Sequence, residues 1–181
     1  METSIKDVRD VPVSSFLAIS IIIVFSLYAT TALKTIPCGK DLLANFTSNF
    51  IHIDPYHLIA NLYALYALSR VEVSLGPKKF FILVLFLLFV NTLFEGAVHK
   101  MIPDIPCSIG FSGVLFGMMT WELVTNKGLD FYVATSIGAM VILPSIQNQK
   151  ASLMGHLVGA VSGIIGGLLW SKISPTIKWW F

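Results

Sequence analysis

GFSGVLFGMMTWELV, residues Gly110–Val124, is an apolar run of helix length that opens on a serine set between glycines. An isolated hydroxyl in such a run is costly in lipid unless another polar group meets it. The run holds 15 residues, which at 1.5 Å each reach about 22 Å. A bilayer's hydrocarbon core is about 30 Å thick, so one end of this helix is expected below the membrane surface, reached by a dipping loop. The segment Lys100–Ile109, with Pro103 and Pro106, suits that descent. Non-helical backbone at such depth is tolerated where protein or a water-filled cavity surrounds it.

The rest of the chain supports a membrane setting. Of 181 residues 55% are hydrophobic and only 12% charged, about half the charged share of a soluble domain. A net charge of +2 gives no basic field for a nucleic-acid partner. Six apolar runs read as spans: Val13–Leu33, Pro55–Ser69, Lys78–Phe94, Gly110–Val124, Phe131–Leu143 and Ser152–Lys172. The first and sixth have the ~20 residues that a straight crossing needs, the third nearly so, and the second, fourth and fifth fall short. The expected fold is an all-α membrane protein, a bundle of six transmembrane helices. Residues 1–12 form a short cytoplasmic segment, 13–172 the membrane domain and 173–181 a tail.

Loop cations set the orientation. With the N-terminus in the cytoplasm, that side holds Lys6, Arg9, Arg70, Lys78, Lys79, Lys127, Lys172 and Lys178, and the other holds Lys34, Lys40, Lys100 and Lys150. Eight against four favours cytoplasmic N- and C-termini. The first ten residues mix Glu2, Asp7 and Asp10 with Lys6 and Arg9. That is wrong for an Arg-rich transit peptide and favours secretory-pathway or surface membranes over mitochondrial ones.

In this topology spans two, four and six all run inward, and each carries polar residues near its start. Asp54-Pro55 reads as an N-cap followed by proline at the first helical position, which stacks His57 and Asn61 on one face of span two. Span four brings Ser112 and span six brings His156. Ser112 lies where free backbone N–H groups and the helix dipole favour an anion. It is not the nucleophile elbow of soluble hydrolases, which would need glycine where Val114 stands. Gly155, Gly159, Gly163 and Gly167 recur every four residues on span six, facing a surface offered by Gly113 and Gly117. Such stripes let helix backbones approach closely, and close approach brings His156 to Ser112. No carboxylate lies within span six, and Glu122 sits at the far end of span four. The expectation is a Ser–His dyad with Ser112 as nucleophile and His156 as general base. Phe116, one turn deeper, is placed to pack on the imidazole.

His57-x-x-x-Asn61, Gly110-x-Ser112-Gly113 and Gly155-His156-x-x-Gly159-x-x-x-Gly163 together resemble the rhomboid family of intramembrane serine proteases in order, helix and spacing. The resemblance covers essentially the whole chain. It implies an oxyanion site from His57, Asn61 and the Ser112 N–H, supported by Gly110, Gly113, Phe116, Gly159 and Gly163. It also implies cleavage of single-span transmembrane substrates in or near the bilayer, without metal or cofactor. Span five and the loop Pro144–Ala151 would form a substrate gate. Glu72 and Gly76 resemble the family's Glu-x-x-x-Gly stretch, but Ser74 stands where an arginine is often found. The first loop, Lys34–Phe46, lacks the family's common Trp-Arg pair.

Two other readings compete with a protease. One is a catalytically silent rhomboid-like protein that binds transmembrane clients. The other is a small channel whose path Glu95 or Glu122 would line, against which stands the absence of repeat symmetry between the halves. Cys38 and Cys107 fall in loops on the non-cytoplasmic side, where a disulfide is possible in an oxidising lumen. Asn45-Phe46-Thr47 is a glycosylation sequon on that side.

Overall fold

The computed structural model describes residues 8–34, 41–102, 107–125, 131–147 and 152–173. After a 3-10 turn at Val8–Asp10 come seven helices: α1 Pro12–Ala29, α2 Leu42–Ser48, α3 Pro55–Leu75, α4 Pro77–Met101, α5 Ser112–Thr125, α6 Phe131–Gln147 and α7 Leu153–Ile173. No strand occurs among the described residues. By length and apolarity α1, α3, α4 and α7 are each able to cross a membrane, and α6 is a shorter apolar helix. Several apolar helices of this kind make a multi-pass membrane protein. Cys38, the prolines of the descending loop, the end of the loop after α6 and the C-terminal tail lie outside the described residues. Cys107 is disulfide-bonded.

Two expectations need correction. The second span is not short: α3 has 21 residues and stops at Gly76, whose φ of 79° no ordinary side chain favours, before Pro77 opens α4. Arg70 and Glu72 fall within α3, each satisfied where it stands. Arg70 forms a bidentate pair with Glu122 of α5 at 3.0 and 2.8 Å, which also leaves Glu122 unsuited to line a path. The second correction concerns Gly110, which precedes α5 rather than opening it, with φ 100°. Helix α2 occupies much of the first loop, and Asn45 of the sequon within it is 1% exposed. Its amide packs against Gly96 of α4, so the sequon offers no accessible acceptor.

The helices assemble around one apolar cluster. Ile21, Leu65, Phe80, Leu87, Val114 and Met118 bring α1, α3, α4 and α5 together, none more than 1% exposed. The closest helix pair is α5 with α7. A Cβ on Gly159 would strike the Gly113 carbonyl, and one on Gly163 would strike that of Gly117. The Thr120 hydroxyl closes the same seam by donating to the Ala160 carbonyl at 2.7 Å. In lipid, where apolar burial between helices gains little, such contact-distance packing is what holds a pair together. By contrast α6 buries only Ile137 and Val141 among its described side chains, in a small separate cluster with Phe116.

Candidate active site

The seam between α5 and α7 brings His156 Nε2 to 3.0 Å from Ser112 Oγ. The other ring nitrogen, Nδ1, lies 3.2 Å from the Val141 carbonyl of α6. A carbonyl oxygen only accepts, so Nδ1 carries the hydrogen and Nε2 presents its lone pair to the serine hydroxyl. That is the tautomer a base needs. The Phe116 ring sits 4.7 Å from the imidazole, tilted at 51°, and fixes its plane. His156 is 7% exposed, while Ser112 is only half-buried. The hydroxyl is thus reachable and its partner shielded.

Ser112 is the first residue of α5, so the N–H groups of its first turn have no acceptor within the helix. The Leu115 N–H of that turn donates to the Phe111 carbonyl at 3.1 Å, and the positive end of the helix dipole lies beside the hydroxyl. Gly110 is held in place by its N–H, which donates to the Ser48 carbonyl of α2 at 3.0 Å. Its positive φ excludes ordinary side chains, and a Cβ there would lie 2.5 Å from His57 Cε1. His57 therefore packs directly against the loop that leads into Ser112. The Asp54 carboxylate caps α3 by accepting the His57 N–H at 2.8 Å, as the Asp-Pro reading expects. Asn61 is buried and donates one amide hydrogen to the His57 carbonyl at 2.8 Å. A cavity beside the nucleophile is lined by Ser112, His156, Gly110, Gly113, Asn91 and Glu95. His57 and Asn61 do not line it.

Sequence reasoning missed His52. It is 1% exposed, its ring 4.8 Å from that of His57, and its Nδ1 lies 3.3 Å from the Phe50 carbonyl. Five residues before His57 and cut off from α3 by Asp54-Pro55, it shares no helical period with the site. Burial, with neighbouring His57 a lesser cause, lowers its imidazole from the usual value to about 4. Unfolded, His52 takes a proton near pH 6.5. Between about 6.5 and about 4 the unfolded chain therefore binds more protons, and stability falls as pH falls through that window. The expected size is about 3 kcal/mol, from the free energy of a shift that large. Thermal unfolding in detergent across this range should show a flatter profile for His52→Gln; an unchanged slope contradicts the assignment.

Residues 40–173 match the Rhomboid domain family. The chain belongs to the rhomboid family. A rhomboid protein of Acanthamoeba polyphaga mimivirus is 29% identical over 133 residues, covering 70% of this chain and 74% of its own length. The mitochondrial rhomboid-like protein 14 of Arabidopsis thaliana is 31% identical over 145 residues, 70% of this chain and 42% of its own. The mitochondrial presenilin-associated rhomboid-like protein A of Danio rerio is 28% identical over 153 residues, 74% and 40%. The chain thus spans less than half of the latter two. In this rhomboid domain the matched residues take in the whole site, from His52 through His156. The first helix α1 lies outside the match but is tied to it, since Glu72 of α3 accepts from the Val13 and Ser14 N–H groups.

Proposed function

We propose that this rhomboid protein is an intramembrane serine endopeptidase that cuts single-span transmembrane proteins in or near their membrane segment. The observation that carries the reading is the 3.0 Å approach of His156 Nε2 to Ser112 Oγ, with Nδ1 turned to Val141 O. His156 takes the Ser112 proton as the oxygen attacks the scissile carbonyl, then gives it to the leaving amine. The developing oxyanion meets the free N–H groups at the start of α5, with His57 and Asn61 as side-chain donors. Water entering the polar cavity hydrolyses the acyl-enzyme, with His156 again as base.

The bundle crosses the membrane six times in this reading, with α2 lying outside the count and both termini in the cytoplasm. A short α5 of 14 residues then leaves Ser112 below the surface, inside protein-lined space. The thinly packed α6 serves as the substrate gate, since mobile elements are those with few buried contacts. The compartment we propose is a secretory-pathway or surface membrane, where oxidised Cys107 is stable.

Labelling with a fluorophosphonate, which reacts with an activated serine, tests the proposal. The wild-type protein should be labelled at Ser112, with Ser112→Ala unlabelled and His156→Ala slower by at least about 10³-fold. Labelling that survives Ser112→Ala contradicts the reading. So does a wild-type protein that is folded but inert.

A further inference from the structure

Glu95 lies in the last two turns of α4, 8% exposed, and a carboxylate inside a membrane bundle is costly unless it has partners. Its Oε1 accepts the Ser108 N–H at 2.7 Å and the His99 Nε2–H at 3.1 Å. Ser108 stands four residues before the nucleophile, and its Oγ is 2.6 Å from Ser152 Oγ. Ser152 is the cap of α7: its hydroxyl accepts the Gly155 N–H at 3.1 Å, and its carbonyl accepts the His156 N–H at 3.2 Å. Gly155 in turn leaves no room between α7 and Ser108, since a Cβ there would lie 2.9 Å from Ser108 Oγ. One carboxylate thus ties the backbone that enters Ser112 to the first turn of the helix that carries His156.

The glycine seam cannot do this alone. Glycines set how near α5 and α7 come, and the Thr120–Ala160 bond pins the helices two turns below the nucleophile, leaving their relative height at the site itself to other contacts. The charge-assisted Glu95–Ser108 bond and the Ser108–Ser152 bond fix that second coordinate. We propose that Glu95 is a positioning residue for the reaction at Ser112, setting through Ser108 and Ser152 the height of the nucleophile against its base. The inference rests on the peptidase reading above.

The test compares wild type with Glu95→Ala, Glu95→Gln, Ser108→Ala, Ser152→Ala and the double serine variant. Three quantities are read: the fluorophosphonate labelling rate, kcat and KM on a single-span substrate, and the thermal midpoint. Glu95→Ala should lower kcat and labelling about 10²-fold, with KM within about twofold, as small misplacements of reacting groups do. Glu95→Gln keeps an acceptor for the Ser108 N–H and should recover to within about tenfold of wild type, since a neutral bond is roughly half as strong. Ser108→Ala and Ser152→Ala break one shared bond, so the double variant should lose no more than Ser152→Ala alone. A folded Glu95→Ala that labels at the wild-type rate overturns the inference while the peptidase reading stands. Additive losses in the two serines overturn it too, and that cycle decides the matter if Glu95→Ala does not fold. A wild type that is not labelled overturns both.

Discussion

Gly159→Ala is expected to lower kcat by about 10²-fold or more, the scale on which an ångström of misplacement acts. The added methyl would overlap the backbone carbonyl of Gly113 in the first turn of α5, and helix backbone cannot swing aside as a side-chain tip can. The two helices must separate instead. His156 is three residues from Gly159 on α7 and Ser112 adjoins Gly113 on α5, so separation acts directly on the 3.0 Å contact between base and nucleophile. Gly163→Ala should behave similarly, since its Cβ meets the Gly117 carbonyl and the Thr120 hydroxyl. Gly138→Ala is the control for helix propensity: a Cβ there meets nothing within 4 Å, and alanine in a helix gains up to about 1 kcal/mol over glycine. Labelling rates with Ser112 as the reporter, alongside kcat, check the result. Wild-type rates in Gly159→Ala would mean that the seam does not set the site.

That seam was legible in the sequence because it is a pattern of residue types. Gly113 and Gly117 pair with Gly159 and Gly163 in register, as the four-residue spacing on both helices requires. Phe116 likewise packs on His156 because one helical turn from Ser112 leads to it. What the sequence hid has a physical reason in each case. The group that orients His156 is the backbone carbonyl of Val141, and a backbone acceptor leaves no mark in residue identity. His52 joins the site through a loop, outside any helical period. Arg70 and Glu72 lie inside α3, past the Ser69 at which the second span was read to end. Their partners, Glu122 and the start of α1, lie 52 and 58–59 residues away and could be known only once the bundle was assembled.

Glu72→Ala is expected to destabilise the fold by about 3 kcal/mol or more, because it strands several buried donors at once. Helix α1 starts at Pro12 with no side-chain cap of its own. The fully buried Glu72 carboxylate of α3 supplies one from across the bundle, accepting the Val13 N–H at 2.8 Å, the Ser14 N–H at 2.8 Å and the Ser14 hydroxyl at 2.7 Å. The positive end of the α1 dipole also faces that charge. These contacts stabilise the buried carboxylate in a chain where Ser74, at the place of the family's common arginine, only donates back to the Val71 carbonyl. Ser14→Ala removes one bond of the three and should cost about 1–2 kcal/mol. Glu72→Gln should stay close to the alanine variant, because its NH2 group would meet a donor where the second carboxylate oxygen now accepts. Denaturant unfolding in detergent micelles measures each loss, and wild-type stability in Glu72→Ala would remove the cap from the account. The residue stands at the opposite end of α3 from His57, so its loss should reduce the amount of folded protein and leave the Ser112 labelling rate per folded molecule unchanged. Glu95, the other buried carboxylate among the described residues, is expected to do the reverse, and that contrast separates a group that holds the bundle together from one that holds the reacting atoms in line.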